Sequence, residues 1–337
     1  MSLRCGVIGL GYWGPNLLRN IAASPATELA AICDKSSERC AKFARQFAPS
    51  LATGDPDELF AAPNVDAVFI ATPVAAHYAL AMAALRAGKH VFVEKPLAGT
   101  VPEAEAMVEE AERRGLTLMV DHVFVYNSAV RKIRELVTGN AIGDVLYYDS
   151  VRVNLGLFQH DVNVIWDLVV HDLSILDFVL DKRPVAVMTH ARAHVDGQPE
   201  NIAYMTCLFD GTLIAHFHVN WLAPVKVRRT LIGGTRRMIV YDDLEPDEKI
   251  KIYDRGVDLT ETEKDVAGLQ LGYRLGDMQA PMLARAEPLS AAIEHFAECV
   301  RTGAAPLTDG RCGVRVVRLL EAASRSAKAD GKAVRID

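Results

Sequence analysis

Long apolar runs and an excess of basic charge are both missing from this 337-residue sequence. No segment approaches the roughly 18 uncharged apolar residues that a helix needs to cross a bilayer, which excludes a membrane-spanning helix. Lys and Arg number 37 against 43 Asp and Glu, so the net charge is -6 and the basic surface of a nucleic-acid binder is not expected. The start, Met-Ser-Leu-Arg, leads directly into a strand-like run without the features of a secretory signal, and we expect a cytoplasmic protein.

Closely spaced cysteine pairs are missing as well. The six cysteines stand at positions 5, 33, 40, 207, 299 and 312, with no C-x-x-C pair, and most lie within apolar runs. This usage is typical of buried, reduced thiols in a cytoplasmic protein. We therefore predict no disulfide framework and no metal site.

An apolar fraction of 50% with 24% charged residues excludes a disordered chain, and the length suits two domains. In the first 120 residues, short apolar runs alternate with helical stretches. The apolar runs are 5–10, 29–33, 67–71, 90–93 and 116–121, and the helical stretches are 14–23, 36–47, 77–87 and 101–114. Such alternation predicts a parallel sheet with helices on both faces, and we assign residues 1–122 to a first domain of this architecture.

The pattern changes to successive strands in residues 123–337, which we assign to a second domain. Predicted strands are 145–153, 184–194, 201–209, 212–220, 226–232, 236–241 and 248–253, and predicted helices are 127–138, 164–180, 287–302 and 310–328. The stretch 254–288 is rich in glycine, proline and charge and is interpreted as a loop. The fold class is therefore α/β, with an α+β second domain built on a large, mostly antiparallel mixed sheet.

A glycine-rich motif joins the first strand to the first helix. It reads Gly9-Leu-Gly11-Tyr12-Trp13-Gly14, and Asp34 ends the second apolar strand. The first glycine permits a tight turn, the second permits close approach of a pyrophosphate, and the third permits close helix–strand packing. A structural glycine turn is the alternative, but a carboxylate placed as Asp34 is would bind ribose hydroxyls and favours the dinucleotide site. The same carboxylate would repel the 2′-phosphate of NADP, so NAD is the expected cofactor, although Lys35, Ser36 and Arg39 could soften that repulsion.

Several further motifs together resemble one family. They are Ala71-Thr72-Pro73 with His77 four residues on, Glu94-Lys95-Pro96 after a strand, Trp166-Asp167-Leu-Val-Val-His171-Asp172, Glu287-Pro288-Leu289, and Pro306-Leu-Thr-Asp309-Gly310. Over essentially its whole length the chain resembles the Gfo/Idh/MocA oxidoreductases. The resemblance implies that residues 1–122 form an NAD(P)-binding Rossmann domain and that the enzyme transfers hydride at a sugar-like carbinol. It also implies a C-terminal sheet used in oligomer contacts, which favours a homodimer or homotetramer. It also implies cofactor contacts from Ala71, Thr72, Pro73, His77, Glu94 and Lys95.

Lys95 is the predicted proton-transfer group. It follows a strand at the carboxyl edge of the predicted sheet, where open α/β sheets bind ligands. Burial and the positive ring of NAD⁺ would both favour a neutral amine, which accepts the hydroxyl proton as hydride leaves the carbon. Glu94 would position the lysine or the nicotinamide ribose. A surface lysine at a strand end is the alternative.

Asp167 and His171 stand four residues apart on the predicted helix 164–180 and so share a face with Ser174. A carboxylate one turn from a histidine can set its tautomer and support its positive form. We predict that His171 hydrogen-bonds the reacting hydroxyl, with Asp167 as its partner. A solvated helix face is the alternative, and Asp172 is assigned a structural hydrogen-bonding role.

The finer resemblance is to bacterial enzymes that oxidise C3 of UDP-N-acetylhexosamines or their uronic acids. It is based on Gly11-Tyr-Trp-Gly-Pro-Asn16, Asn154-Leu-Gly156, the segment 161–167, and Asn220-Trp221-Leu222. Candidate sugar or nucleotide contacts are Arg152, Asn154, Gln159, Asn163 and Arg274. Two alternatives stay open: an inositol-type polyol or free-sugar dehydrogenase, and a non-catalytic Rossmann dimer that senses NAD(H).

Overall fold

The computed structural model describes residues 2–156, 162–260 and 270–336. The chain forms two compact units. The first unit comprises Met1–Asn127 and Ala286–Glu321, and the second comprises Ser128–Arg285 and Ala322–Asp337. The sequence instead predicts a division after residue 122 and places the whole remainder in the second domain. Residues 286–321 belong to the first unit because Phe296 packs edge-on against Phe69 and Phe92, with ring centroids 5.4 and 5.6 Å apart.

Strands and helices alternate through the first 127 residues, as the sequence predicts. The elements are β1 (Leu3–Ile8), α1 (Gly14–Ala23), β2 (Thr27–Cys33), α2 (Ser37–Phe47), β3 (Leu51–Thr53), α3 (Pro56–Ala61), β4 (Ala67–Ile70), α4 (His77–Arg86), β5 (His90–Glu94), α5 (Val101–Arg114) and β6 (Leu118–Asp121). β3 and α3 are not predicted by the sequence, because a three-residue edge strand is too short to show a hydrophobic period.

Residues 128–285 hold most of the remaining strands. The elements are α6 (Ser128–Thr138), β7 (Val145–Leu155), a π-helical turn (Ile165–Val169), α7 (Val170–Val179), β8 (Pro184–Arg192), β9 (Ile202–Phe209), β10 (Ile214–Asn220), β11 (Leu222–Gly234), β12 (Met238–Asp242), β13 (Ile250–Tyr253), β14 (Gly256–Thr260), β15 (Gln270–Arg274) and β16 (Met278–Gln279). The chain ends with α8 (Pro288–Thr302), α9 (Gly310–Lys328) and β17 (Val334–Arg335). The predicted loop 254–288 is wrong in part, because β14 and β15 pair antiparallel within it.

The first unit contains a six-stranded parallel sheet in the order β3-β2-β1-β4-β5-β6. Chain order reverses at β1, so the carboxyl ends of β1, β2, β4 and β5 flank the crevice where such sheets bind ligands. Local capping fixes the helices around it. In α5, for example, the Thr100 hydroxyl accepts a hydrogen bond from the Glu103 amide, and Gly115 ends the helix with a φ of 65°.

The second unit contains a nine-stranded sheet in the order β16-β13-β12-β11-β7-β10-β9-β8-β17. All neighbours are antiparallel except β7 and β10, which run parallel. One face of the sheet packs against α7, where Ser150 of β7 donates to the buried carboxylate of Asp172. The opposite face exposes the apolar side chains of Tyr147, Met188, Tyr204 and Ile214. The predicted mixed, mostly antiparallel sheet is confirmed.

All six cysteines are buried free thiols, as predicted. Within the described part of the chain, no helix combines the length and apolar character needed to span a membrane.

Candidate active site

The glycine-rich turn has the geometry that a dinucleotide requires. Gly9 has a φ of 95°, and a Cβ there would lie 2.5 Å from the Ala71 carbonyl oxygen. A Cβ on Gly14 would lie 2.2 Å from the Gly9 carbonyl oxygen, so α1 can begin this close to β1 only with glycine. Gly11 instead faces open space: a Cβ placed on it would have no atom of the described residues within 4 Å. The turn therefore leaves room for a pyrophosphate at the start of α1, where no side chain caps the helix amides.

Asp34 ties the glycine-rich turn to the end of β2. Its Oδ2 accepts a hydrogen bond from the Leu10 amide at 2.7 Å, and its Oδ1 accepts one from the Ser36 amide at 2.8 Å. The Arg39 guanidinium lies 3.7 Å from Oδ2. These bonds fix the carboxylate at the carboxyl edge of the sheet, next to the turn, where the sequence predicts ribose binding. Tyr12, on the same turn, is 87% exposed.

The loops after β4 and β5 are joined by a buried histidine. The ring of His77 lies 2.9 Å from the Thr72 carbonyl oxygen through Nε2 and 2.9 Å from the Pro96 carbonyl oxygen through Nδ1. His77 thus positions the two loops that the resemblance assigns to cofactor contacts, and Pro73 leads into the short helical turn between them. The Thr72 hydroxyl is buried and has no hydrogen-bond partner among the described residues. An orphaned polar atom at this edge of the sheet fits a site that a polar cofactor completes.

Glu94 and Asp121 end two neighbouring parallel strands, in register with each other. Asp121 is 1% exposed, and its Oδ2 accepts a hydrogen bond from the Trp13 indole at 3.3 Å. Burial first, and then the charge of Asp121, raise the pKa of Glu94 well above its ordinary range. The neighbouring Lys95, which is joined to Pro96 by a cis peptide bond, opposes that rise. The strand end that bears the predicted proton-transfer lysine therefore also bears a carboxyl pair, in which Asp121 is buried and Glu94 is half-buried with its Oε1 atom shielded from solvent.

The second unit places Asp167 against a buried tryptophan that sequence reasoning did not assign a role. The Trp221 indole donates to Asp167 Oδ2 at 3.1 Å. Trp221 is 1% exposed and follows β10, and Gly156, which follows the parallel neighbour β7, packs against its ring. A Cβ on Gly156 would come within 2.7 Å of the ring. The motifs Asn154-Leu-Gly156 and Asn220-Trp221-Leu222 were the available signal, and of their residues Trp221 bonds the carboxylate while Gly156 packs against the Trp221 ring.

The helix that bears Asp167 and His171 differs from the regular amphipathic helix that the sequence predicts. Residues Ile165–Val169 form a π-helical turn, which leads directly into α7. A π-helical turn widens the backbone spiral and shifts the relative direction of residues four apart, and such turns are frequent at functional sites. Ser174, predicted to share their face, is fully buried and donates to the His171 carbonyl oxygen at 2.7 Å. The helix is thus buried around most of its surface, while Asp167 and His171 themselves are only half-buried.

The predicted sugar contacts fall in different places. Arg152 is 4% exposed and makes a bidentate pair with Asp172, with N···O distances of 2.8 and 2.9 Å. That pair gives Arg152 a structural role and agrees with the structural role predicted for Asp172. Asn163 accepts hydrogen bonds from the amides of Ile165 and Trp166 and so caps the helix. Both side chains thus bind other residues of the second unit, and their contact with a sugar stays a prediction.

Of the remaining three predicted contacts, only Arg274 is placed far from Asp167. Arg274 pairs with Asp254 at 3.2 Å, beside the turn at Arg236 and Arg237. That turn adjoins the amino end of β7, whereas Gly156 and Trp221 lie at its carboxyl end, about 30 Å along the strand. Within one chain, Arg274 is therefore remote from Asp167. Asn154 is half-buried near the carboxyl end of β7, and Gln159 lies outside the described residues.

Comparison with known proteins decides the family. A family model described as "Oxidoreductase family, NAD-binding Rossmann fold" matches residues 3–122, and one described as "GFO/IDH/MocA C-terminal domain" matches residues 130–240. The UDP-N-acetylglucosamine 3-dehydrogenase of Acidithiobacillus ferrooxidans is 30% identical over 320 residues, which are 94% of this chain and 95% of that protein. This chain belongs to the Gfo/Idh/MocA family of oxidoreductases.

Two further similarities bear on the function. A crystal form of the same Acidithiobacillus dehydrogenase, named GnnA, superposes with a TM-score of 0.83 at 28% identity and covers 98% of each chain. The myo-inositol 2-dehydrogenase of Thermotoga maritima is 25% identical over 96% of each chain. Relatives with assigned activities include dehydrogenases that act on CH–OH groups. The chain is accordingly an NAD-dependent oxidoreductase, and its glycine-rich turn, Asp34 and the orphaned Thr72 hydroxyl fit that cofactor.

Proposed function

We propose that this enzyme oxidises the C3 carbinol of a UDP-linked N-acetylhexosamine, or of its uronic acid, with NAD⁺ as the acceptor. The observation that supports this most is the similarity to a UDP-N-acetylglucosamine 3-dehydrogenase, which extends over nearly the full length of both chains. The resemblance of the Asn154-Leu-Gly156 and Asn220-Trp221-Leu222 motifs to those of enzymes that oxidise C3 of UDP-N-acetylhexosamines supports it further.

In this proposal the first unit binds the cofactor at the carboxyl edge of its sheet. Gly9, Gly11 and Gly14 admit the pyrophosphate, and Asp34 binds the adenosine ribose and disfavours NADP. The remaining half of the dinucleotide would extend to the other side of β1, toward the ends of β4 and β5. When bound, the nicotinamide ring accepts the hydride. Lys95 would exchange the hydroxyl proton of the substrate through its Nζ atom.

The second unit supplies the groups that polarise the substrate hydroxyl. His171 would donate or accept a hydrogen bond to that hydroxyl, and Asp167 would set the tautomer of the imidazole. The indole of Trp221 donates a hydrogen bond to Oδ2 of Asp167 and so restricts the orientation of the carboxylate. A carboxylate held by a buried donor loses little conformational freedom when substrate binds, which favours a fixed reaction geometry.

The exposed sheet face of the second unit suggests an oligomer. Four large apolar side chains, Tyr147, Met188, Tyr204 and Ile214, lie on the same face of adjacent strands and are exposed in the single chain. Large apolar side chains exposed on one face of a sheet are often covered by a partner. We propose a homodimer or homotetramer, which sedimentation of the purified protein would test.

The second candidate is an inositol-type polyol dehydrogenase, favoured by the similarity to the Thermotoga myo-inositol 2-dehydrogenase over the whole chain. One experiment separates the two. NADH absorbance is followed after NAD⁺ is mixed with UDP-N-acetylglucosamine, UDP-N-acetylglucosaminuronate or myo-inositol. We expect turnover, or a burst of one NADH per subunit, with a UDP-sugar. Formation of NADH with inositol alone would overturn the proposed substrate and leave the fold and cofactor intact.

A further inference from the structure

The buried carboxyl pair at the ends of β5 and β6 has no place in the function described above beyond a general positioning role for Glu94. Glu94 and Asp121 are partners in the register of two parallel strands, about 4.8 Å apart. Residues in register on adjacent strands direct their side chains to the same face of the sheet. The two carboxyl groups therefore meet, and they do so where water is excluded from Asp121.

Hydrogen-bond accounting shows that one proton is missing if both groups are written as carboxylates. Asp121 Oδ2 accepts from the Trp13 indole. Asp121 Oδ1 and Glu94 Oε1 are buried and have no donor among the described residues. A buried acceptor without a donor is costly, and two adjacent carboxylates repel each other. A proton held between the two carboxyl groups supplies the donor and removes one of the charges.

We propose that Glu94 and Asp121 hold one proton between them in the cofactor-free enzyme, and that binding of the oxidised, positively charged nicotinamide releases it. The inference rests on the NAD binding of the family and not on the identity of the sugar. Of the two groups, Glu94 is the one that is protonated, because Asp121 already has the Trp13 donor to stabilise its charge.

The surroundings of the pair support this assignment. Burial and the charge of Asp121 raise the pKa of Glu94, whereas burial raises the pKa of Asp121 against the opposing hydrogen bonds from Glu94 and Trp13. Among the described residues of the first unit, the other titratable groups nearby are Lys95, His122 and His77. Lys95 follows β5 and favours the charged form of both carboxyls. His122 follows Asp121 in the chain, and His77 contacts the Pro96 carbonyl. A cation placed at this edge of the sheet acts in the same direction as Lys95 and favours loss of the shared proton.

The stoichiometry agrees with the chemistry of the site. Oxidation of a hydroxyl to a carbonyl sets free one hydride and one proton. Reduction removes the positive charge of the nicotinamide ring and so removes the reason for the pair to stay doubly ionised. The pair then takes up one proton, which is the number that the substrate releases. Glu94 and Asp121 would in this way keep the net charge of the site unchanged during hydride transfer.

The test compares binding of NAD⁺ and NADH without any sugar. Binding isotherms are measured by calorimetry in two buffers with different ionisation enthalpies, across a range of pH. We expect the wild-type protein to release up to one proton more than Glu94→Gln does on binding NAD⁺, and the two proteins to release equal numbers of protons on binding NADH. The affinity for NAD⁺ should rise with pH by at most tenfold per unit across the titration of the pair, and the affinity for NADH should stay level.

Three variants make the result specific. Glu94→Gln removes the protonated group and should lower the number of protons released on NAD⁺ binding by up to one, because only the contribution of Lys95 then remains. Asp121→Asn removes the like charge, which lowers the pKa of Glu94, and should shift the pH dependence of NAD⁺ binding to lower pH. Asp57→Asn, an exposed carboxyl in α3, is the matched control and should behave as wild type. Infrared absorption of a protonated carboxyl in the cofactor-free protein, lost in Glu94→Gln, is the independent readout.

Equal proton release with NAD⁺ and NADH in the wild-type protein would overturn the proposal. So would proton release on NAD⁺ binding that is as large in Glu94→Gln as in the wild-type protein, or a carboxyl band that is unchanged in that variant. Because no sugar is present, none of these outcomes depends on the proposed substrate, whose failure would be seen only in the turnover assay.

Discussion

The buried ion pair between Arg152 and Asp172 separates a structural role from a substrate-binding role. The side chains are only 5% and 3% exposed. Burial by itself would lower the pKa of the Arg152 guanidinium, but the charge and hydrogen bonds of Asp172 outweigh it and raise that pKa. Asp172 also accepts a hydrogen bond from Ser150, so the pair connects α7 to β7. The perturbation we consider is Arg152→Met, Asp172→Leu and the two changes combined.

Each single change leaves an uncompensated charge in the interior, which costs about 3–5 kcal/mol. The double change removes both charges and replaces them with apolar volume, so it should cost far less than the sum of the two and can approach neutrality. For a unit of this size, about 2–4 °C of melting temperature corresponds to each kcal/mol. The single variants should therefore lose roughly 6–20 °C, and the double variant should recover most of that loss.

Urea denaturation of the four proteins, followed by circular dichroism, measures the coupling between the two residues. The kinetic constants of the folded variants are measured alongside. If Arg152→Met unfolds as wild type does but loses sugar affinity, the structural reasoning is refuted and Arg152 is a substrate contact, as the sequence predicts. If each single variant loses less than about 1 kcal/mol of unfolding free energy, and the two losses simply add in the double variant, that result would also contradict a buried, coupled pair.

Three other changes test the rest of the site. Gly14→Ala places a methyl group against the Gly9 carbonyl and should weaken NADH binding at least tenfold in a fluorescence titration, with about 1–3 kcal/mol of lost stability. Asp34→Asn removes the charge that repels a 2′-phosphate and should reduce the preference for NAD over NADP by about tenfold or more, as measured by the ratio of dissociation constants. Trp221→Phe removes a hydrogen bond to Asp167 worth about 1.5–3 kcal/mol, so kcat should fall about tenfold to hundredfold while the dissociation constant of NADH stays unchanged. A preserved kcat in that variant would show that Asp167 needs no fixed position.

The first unit was predictable where local signals agree with the fold. The helix Val101–Arg114 has its start marked by Thr100 and its end by Gly115, and the structure confirms both bounds. The glycine-rich motif and Asp34 were also predictable, because they depend on a short-range strand–turn–helix pattern. The return of residues 286–321 to the first unit was not predictable, because it depends on the packing of Phe296 against aromatic rings that are distant in sequence.

The second unit was less predictable because its polar residues act through long-range pairing. Arg152 lies in an alternating strand before a site motif, and its side chain is of a type that could contact a sugar. Only its position opposite Asp172 shows that it belongs to a buried ion pair. Trp221 and Asp121 were missed as supporting residues for a related reason. Each bonds a partner from a different element, Asp167 and Trp13 respectively, and no local spacing marks such a contact.

The central claim is that Lys95 exchanges the substrate proton in an NAD-dependent oxidation, and Lys95→Ala tests it most directly. NADH formation in a single turnover is measured with the sugar that supports turnover in the wild-type enzyme, and NADH binding is measured by fluorescence. We predict a rate loss of about 10²–10⁴-fold with cofactor affinity nearly unchanged, and partial rescue of the rate by added small amines. Retention of the rate within tenfold, or loss of activity and cofactor binding together without amine rescue, would contradict the account.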